Sequence, residues 1–410
     1  MTIPPSSALQ PPQWDPWILK DKDFYRLFYL SGRTDQEPWW KTSWICEARS
    51  SDAVHWEHRG PVLQPLDDQG WESGRLFAGS LSKENNTYYL FYSAASAADI
   101  SGEAIGLATS TDGVSWQRLA QPLLAEKKLL LDACLPAETP TSMPAKIVEG
   151  YAGRCNWSKH LHWRDPYVIK ATVKGSETQK YYLFFCASLT GKFLYQGGLG
   201  LAVAEKIDGP YQLLPPAAGP GISPNFASGT SPDISERATS EDLLPMASSI
   251  SPNSPSPLAS SIESPIEKDA SASWPFYHLE RPQIIYFQDK YHLFFSCFKE
   301  FVNPTWLKTI GAEKVTDSTL YWFVSDSVTG PFEPSSSLPV VPGSEATGLY
   351  GTTFSPLPMV DDWTEMSALG KANGEVHLTV LGWYHQDYTL AIAGEFRAIW
   401  NASGLKIIGS

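Results

Sequence analysis

One strand-like pattern, rich in aromatic residues, recurs five times along the 410-residue chain. Four copies are closely alike and the fifth is weaker: Phe24 to Gly32, Thr87 to Ala95, Lys180 to Ser188, Lys290 to Phe298 and Val376 to Tyr384. Each copy is short, apolar and bounded by polar or turn-forming residues, which is typical of β-strands. A repeat of this length predicts a propeller or another array of similar units.

Each copy has further strand-like segments on both sides. A strand, turn and strand follow it, and turns such as Thr111 to Gly113 and Ile207 to Gly209 have the chemistry of hairpins. A short strand precedes each copy, near Trp14, Leu76, Trp163, Glu280 and Gly351. Five units of three or four strands predict an all-β fold, a five-bladed β-propeller that forms a single domain over residues 1–410.

The longest interval between copies contains a low-complexity segment. Residues 216–273 consist mainly of Ser, Pro, Ala, Gly and acidic residues. Such a segment cannot bury enough apolar surface to offset the entropy of ordering it. We therefore expect a disordered insertion between blades three and four, either an inert linker or a lid, because it leads into the strand that contains Glu280. A second stretch, residues 120–162, is expected to be a partly ordered loop.

Composition and charge limit the partners. The net charge of −13 disfavours nucleic acid or an anionic membrane as the main partner and fits a neutral substrate. The sequence contains no run of 18 apolar residues, so it predicts no membrane span. Residues 1–12 lack the basic and apolar regions of a signal peptide, so we expect a cytoplasmic protein. The five cysteines are scattered, without the spacing of a disulfide framework or a zinc site.

Three carboxylates occur at the start of the first strand in three of the units: Asp15, Asp165 and Glu280. The first strands of a propeller line its central channel, so we expect these acids to occupy equivalent places and converge at one mouth. Convergent acids are the minimum equipment for glycoside hydrolysis, which needs a proton donor and a nucleophile or base. Two alternatives stay open: structural turn carboxylates, or a metal site, although no Asp-rich loop or His cluster accompanies them.

The motifs around these acids resemble glycoside hydrolase family 68, which contains levansucrases, inulosucrases and bacterial β-fructofuranosidases. Trp14-Asp15-Pro16-Trp17 is similar to the family's nucleophile segment, Arg164-Asp165-Pro166 to its RDP triplet and Glu280-Arg281-Pro282 to its ERP triplet. Residues 199–202, 213–216 and 324–332 resemble further stretches of the family. The likeness to invertase-type family 32 is weaker, because the NDPNG and EC-P motifs are absent. Family 43 shares the three acids but rarely the ERP triplet.

The resemblance implies a retaining, two-step reaction on a β-fructofuranoside such as sucrose. Asp15 would attack the anomeric carbon, Glu280 would act as acid and then base, and Asp165 would stabilise the transition state. A retaining pair of carboxyl groups lies about 5–5.5 Å apart. The resemblance implies a small carbohydrate partner and no metal or other cofactor. We expect a monomer, and the family offers an extracellular location as the alternative to a cytoplasmic one.

Several neighbours of the acids are candidate substrate contacts. Trp14 and Trp17 flank the nucleophile, and Arg164 would reach the site if the end of its strand twists. The family's Trp-Ser-Gly-Ser segment aligns with residues 77–80, which makes Phe77 and Ser80 candidates although the Trp and the first Ser are missing.

Other positions depart from the family. His278 replaces a usual Glu and, because positions i and i−2 of a strand share a face, could touch Glu280 and alter its pKa, or could simply be packed. Arg281 adjoins Glu280 and is expected to face the other way. An Arg that contacts the glucosyl unit is missing at residues 296–299, and Phe354 replaces a site Tyr. We therefore expect a β-fructofuranoside or related furanoside rather than sucrose specifically.

Two other functions stay open. An inverting glycosidase acting on arabinosides or xylosides would use the same acids and differ in the separation of Asp15 from Glu280 and in the product anomer. A catalytically inactive propeller that binds sugar or protein would account for the altered sugar contacts, but not for the presence of all three acids.

Overall fold

The computed structural model describes residues 11–35, 39–67, 69–125, 151, 162–172, 178–189, 195–223, 274–311, 314–335, 339–356 and 374–409. Their strands form five antiparallel sheets, each built from strands that are consecutive in the chain. The predicted five-bladed β-propeller is therefore confirmed. Among the described residues, no helix is long and apolar enough to cross a membrane.

The strands divide among the blades in chain order. Blade one contains β1 (Gln13–Asp21), β2 (Phe24–Ser31), β3 (Trp44–Ser50) and β4 (Glu57–Leu63). Blade two contains β5 (Arg75–Glu84), β6 (Thr87–Ser96), β7 (Asp99–Ser110), β8 (Gln117–Arg118) and β9 (Leu124–Ala125). Blade three contains β10 (Trp163–Thr172), β11 (Gln179–Ser188), β12 (Gly197–Ala204) and β13 (Gln212–Ala218).

The last two blades follow residues 224–273. Blade four contains β14 (Glu280–Phe287), β15 (Lys290–Ser296), β16 (Leu320–Ser325) and β17 (Glu333–Pro334). Blade five contains β18 (Leu349–Pro356), β19 (Glu375–Tyr384), β20 (Thr389–Ala391), β21 (Phe396–Asn401) and β22 (Gly404–Gly409). Helix α1 (Pro304–Ile310) lies between β15 and β16, and the Asn303 side chain caps its start. Three short 3₁₀ helices complete the described elements: Trp39–Thr42, Lys299–Phe301 and Ser344–Ala346.

The recurring aromatic segment is the second strand of each blade. Leu90, Phe184 and Leu293 in these strands are fully buried. Both faces of a blade pack against neighbouring blades, so the strand reads as a continuous apolar run rather than as an alternating one. The propeller core is therefore the set of interfaces between blades, which explains why this segment is the strongest signal in the sequence.

The ring closes by contact between blades one and five. The backbone N–H of Gln13 donates to the carbonyl oxygen of Tyr388 at 2.8 Å, and the indole N–H of Trp56 donates to that of Ile392 at 3.0 Å. Trp14 also packs edge-on against Tyr388, with ring centroids 5.9 Å apart. In the described part of the chain, closure therefore uses packing between complete blades and not the exchange of a strand.

The insertion between blades three and four begins later than the sequence predicted. Strand β13 includes Pro216 and continues to Ala218, which pairs with Leu199 of β12. The described chain then runs to Ser223, whose hydroxyl donates to the carbonyl oxygen of Phe332 at 2.6 Å. The start at residue 216 is therefore wrong, because that residue still belongs to the sheet. The rest of the predicted insertion lies outside the described residues, as does most of the predicted 120–162 loop.

A buried arginine connects blade one with a turn of blade two. Arg26, only 1% exposed, donates to a carboxylate oxygen of Glu47 at 2.7 Å and lies 3.4 Å from one of Asp21. It also donates to the carbonyl oxygen of Gly113 at 2.8 Å. A Cβ atom on Gly113, which has a φ of +68°, would lie 2.0 Å from the guanidinium. The turn therefore needs glycine both for its backbone conformation and for the close approach of Arg26.

We expect Arg26→Met to lower the free energy of unfolding by about 3 kcal/mol, because it leaves the buried carboxylates of Glu47 and Asp21 short of positive charge. Urea denaturation monitored by circular dichroism measures the change. The matched control is Arg33→Met, which breaks an exposed ion pair with Asp35 and should leave stability unchanged. Equal stability of the two variants would contradict a structural role for Arg26.

Candidate active site

The innermost strands share a bulge that shapes one mouth of the propeller. The pairing register shifts between Trp14 and Trp17, between Arg164 and Tyr167, between Glu280 and Gln283, and between Tyr350 and Thr353. Within each shift one residue has left-handed backbone: Asp15 (φ 49°), Asp165 (56°), Arg281 (55°) and Gly351 (59°). A bulge interrupts the alternation of a strand and redirects a side chain.

The bulges define two tiers of residues around the axis. The first tier holds the last paired residue before each shift: Trp14, Phe77, Arg164, Glu280 and Tyr350. The second tier holds the bulged residues: Asp15, Ala78, Asp165, Arg281 and Gly351. The predicted equivalence of the three acids is therefore wrong in one respect: Glu280 lies one position earlier than Asp15 and Asp165.

Arg281 links two of the acids from the middle of the second tier. Its backbone N–H donates to Oδ2 of Asp165 at 2.9 Å, and its Nε lies 3.9 Å from Oδ1 of Asp15. Its guanidinium donates to the carbonyl oxygens of Pro16 at 2.8 Å and Gly79 at 3.3 Å. The expectation that Arg281 faces away from the acids is wrong, because the bulge ends the regular alternation at this residue.

Blade five positions the carboxylate of Asp15. The indole N–H of Trp383 donates to Oδ1 of Asp15 at 2.9 Å. Gly351 leaves room for this contact, since a Cβ atom there would lie 2.7 Å from the same oxygen. The second tier of blade five therefore carries no side chain where the carboxylate of blade one needs space.

Glu280 is held by groups from blades three and five. Nη2 of Arg164 donates to Oε1 of Glu280 at 2.5 Å, and the hydroxyl of Tyr350 donates to Oε2. The Tyr350 ring stacks on Phe298, with centroids 3.8 Å apart. Nε2 of His278, a residue only 4% exposed, lies 3.5 Å from Oε2. His278 is thus both buried and in contact with the carboxylate, which combines the two readings left open by the sequence.

The site tyrosine of blade five lies four residues before the position that the sequence predicts. Phe354 was expected to replace it, but Phe354 is buried between blades four and five, where its ring meets Phe294 edge-on at 5.0 Å. Tyr350, four residues earlier, supplies the hydroxyl at Glu280. Burial and the negative charge of Glu280 raise the pKa of Tyr350 well above its usual value, so this hydroxyl keeps its proton and remains a donor.

A buried glutamate in blade two orients Arg164. Oε1 of Glu103 accepts from Arg164 at 2.9 Å and lies 3.9 Å from Arg75, while Oε2 accepts from the backbone N–H of Trp163 at 2.9 Å. Sequence reasoning missed Glu103, Tyr350 and Trp383. The sequence predicts catalytic acids on first strands, whereas Glu103 is on the third strand of its blade. Its sequence signal is a single acid directly before the apolar residues 104–108 of β7.

The surroundings move the pKa values of the three acids in different directions. Burial raises the pKa of Asp15 to about 6, against the opposing charge of Arg281. Burial and the charge of Asp15 raise the pKa of Asp165 to about 7. Burial would also raise the pKa of Glu280, but His278, Arg164 and the Tyr350 hydroxyl together lower it. Below about pH 7 a proton is therefore held on the Asp15–Asp165 side of the cluster, whereas the lowered pKa of Glu280 favours its ionised form.

The remaining predicted contacts fall into two groups. Trp14 and Phe77 belong to the first tier, and the Arg75 guanidinium covers the Phe77 ring at 4.2 Å. Trp17 and Ser80 instead line a cavity on the far side of the bulges. Within the described ranges, no group of three or more His, Cys, Asp or Glu side chains is arranged to hold a metal ion.

Comparisons with known proteins agree with this architecture. The sequence profile of glycosyl hydrolases family 43 matches residues 9–139, which include blades one and two. No curated protein matches the chain. The fold is similar to an inulosucrase from Halalkalicoccus jeotgali bound to kestose, with 16% identity, a TM-score of 0.54 and coverage of 100% of this chain and 90% of that one.

Two further solved structures are similar over nearly the whole chain. Bacillus subtilis levansucrase has 13% identity and a TM-score of 0.56, with 97% of this chain and 86% of that one covered. A thermostable family-43 glycoside hydrolase has 14% identity and a TM-score of 0.51, with 99% and 96% covered. The chain therefore has the five-bladed propeller fold of these glycoside hydrolases, and the identities are too low to carry substrate specificity across.

The raised pKa of Asp165 makes a prediction about stability. Between pH 3.8 and about 7 the folded protein binds more protons than the unfolded chain, so its stability falls as the pH rises. Asp165→Asn removes this loss, and we expect the variant to gain about 3 kcal/mol relative to wild type on going from pH 4 to pH 8. Urea unfolding at both pH values measures this gain. Asp326→Asn, at an exposed position, is the control. A gain no larger than the control's would contradict the raised pKa.

Proposed function

We propose that the protein is a retaining glycosidase or glycosyltransferase that acts on a β-fructofuranoside or a related furanoside. The observation that supports this most strongly is the cluster of Asp15, Asp165 and Glu280. Three blades place these acids at one mouth of the propeller, and Arg281 contacts both Asp165 and Asp15. A hydrolytic site needs one carboxylate with access to the anomeric carbon and one carboxylic acid at the leaving oxygen. A structural role would not explain one buried and two partly buried acids in one cluster.

The contacts suggest a role for each acid. Asp15 is oriented by Trp383 and is the proposed nucleophile, which forms a glycosyl ester. Glu280 is the proposed acid and base: it protonates the leaving oxygen, then takes a proton from water or from an acceptor hydroxyl. Asp165 is fixed by the Arg281 N–H and is the proposed partner of the ring hydroxyls and the developing positive charge.

The proton distribution must change before the first step. Asp15 attacks only when ionised and Glu280 protonates the leaving group only when protonated, whereas burial raises the pKa of Asp15 and the contacts of Glu280 lower its pKa. Below about pH 7 the cluster holds a proton on the Asp15–Asp165 side. We propose that a bound sugar displaces Arg164 from Glu280, which raises the pKa of Glu280 and draws the proton there.

Substrate choice follows from the same contacts. His278 and residues 296–299 give this site sugar contacts unlike those of the resembling family, which favours a furanoside other than sucrose. We propose that the protein acts as a monomer, with a small carbohydrate as its partner.

A second candidate is an inverting glycosidase. It is favoured by the family-43 profile that matches residues 9–139 and by the fold similarity to a family-43 enzyme. In that mechanism Asp15 would activate water as a base and would form no ester. The two candidates share the acid Glu280 and differ in what Asp15 does.

The roles predict separate kinetic signatures on sucrose, kestose and nitrophenyl furanosides. Asp15→Asn should reduce kcat by at least about 10³-fold on every substrate. Glu280→Gln should reduce kcat/KM by about 10²–10⁴-fold on natural sugars, but far less on nitrophenyl substrates, whose leaving groups need no proton in the first step. Asp326→Asn, at an exposed position, should equal wild type. Wild type without activity on the whole panel would favour a binding propeller instead, and full activity in Asp15→Asn would rule out Asp15 as nucleophile or base.

A further inference from the structure

A cavity of about 880 Å³ occupies the propeller axis on the far side of the bulges from the acids. The later residues of all five innermost strands line it, and we call it the axial cavity. Its volume lies within the 300–1,000 Å³ that is usual for small-molecule sites. Tyr286 and Lys170 at its end are exposed, so this end opens to solvent. Of the residues that bear on the catalytic acids, the axial cavity includes Arg281.

Two polar atoms in its wall are buried without a hydrogen-bond partner. Both Ser80 and Trp17 are 5% exposed, and neither Oγ of Ser80 nor Nε1 of Trp17 has a hydrogen-bond partner among the described residues. Leaving such a group without a partner costs about 1–3 kcal/mol. Ser80 and Trp17 lie on neighbouring blades and both line the axial cavity, which places two unsatisfied polar groups in its wall.

The charged groups of the axial cavity are engaged with one another. Lys170 donates to Glu84 at 2.5 Å, and the hydroxyl of Tyr181 also donates to Glu84. At the inner end, the Arg281 guanidinium donates to two backbone carbonyl oxygens and faces Asp15. The cavity therefore presents no unpaired charge at these positions and favours a neutral ligand.

Aromatic, aliphatic and hydroxyl-bearing residues share the rest of the wall. The aromatic residues are Trp17, Tyr167, Tyr181, Tyr286 and Phe354, and the small hydroxyl residues are Ser80, Ser82, Thr353 and Ser355. An aromatic face suits the C–H surface of a sugar, and the hydroxyls suit its polar edge. We propose that the axial cavity is a second binding site, for one small neutral saccharide or polyol.

Arg281 forms the boundary between the axial cavity and the acids. Its guanidinium is tied to blades one and two by the carbonyl oxygens of Pro16 and Gly79. A ligand in the axial cavity could contact Arg281, which lines it, whereas Asp15, Asp165 and Glu280 are not among its lining residues. The second site is thus distinct from the acid cluster and does not depend on the proposed reaction.

Calorimetry and crystal soaking on the full chain test the proposal, with sorbitol and sucrose as probes. All proteins carry Asp15→Asn so that sucrose is not consumed. Ser82→Trp fills the axial cavity and should weaken sorbitol binding by more than tenfold, while Ser80→Ala should weaken it about fivefold. Val114→Trp, which adds the same ring at an exposed position on blade two, should bind like the parent.

Density for sorbitol or sucrose in the axial cavity, lost in Ser82→Trp, would support the second site. Three results would overturn it: water alone in the axial cavity at saturating probe, sugar at the acids alone, or equal sorbitol binding by Ser82→Trp and Val114→Trp. The soaking experiment needs only the parent protein, so it decides the matter even if Ser82→Trp does not fold. Loss of furanoside hydrolysis would not bear on these outcomes.

Discussion

The contact between Arg281 and the two aspartates holds the candidate site together. The backbone N–H of Arg281 donates to Asp165, and its guanidinium lies beside Asp15. The guanidinium also donates to backbone carbonyl oxygens of blades one and two. Three carboxylates, one buried and two partly buried, would repel one another in surroundings less polar than water. The positive charge at the centre of the second tier offsets that repulsion and, by spanning three blades, also fixes their spacing.

The fold was predictable because its signal is repeated. Five copies of an aromatic strand predict blades with buried faces, and Leu90, Phe184 and Leu293 are buried as that pattern requires. The positions of the acids in the chain were predictable for the same reason. Their relative placement was not, because alternation along a strand fails at a bulge. The Pro after Asp15, Asp165 and Arg281 was the available sign that these three are equivalent.

The groups that support the acids were harder to find because they come from elements without a repeated motif. Glu103 is on the third strand of its blade, Trp383 on the second, and Tyr350 on a first strand that has no acid. Each touches the site through a contact distant in sequence. Their effects are electrostatic: Tyr350 and Arg164, which Glu103 orients, lower the pKa of Glu280, whereas the Trp383 hydrogen bond lowers the pKa of Asp15 against the effect of burial.

The configuration of a methanol transfer product tests the role of Asp15 most directly. A glycosyl ester on Asp15 would be attacked by methanol from the face that the leaving group left. With a β-furanoside donor and added methanol, proton NMR should show the methyl β-furanoside, whose anomeric centre cannot equilibrate as a free sugar does. An inverted methyl glycoside, or hydrolysis with no methyl glycoside at all, would contradict a nucleophilic Asp15 and favour the inverting reaction.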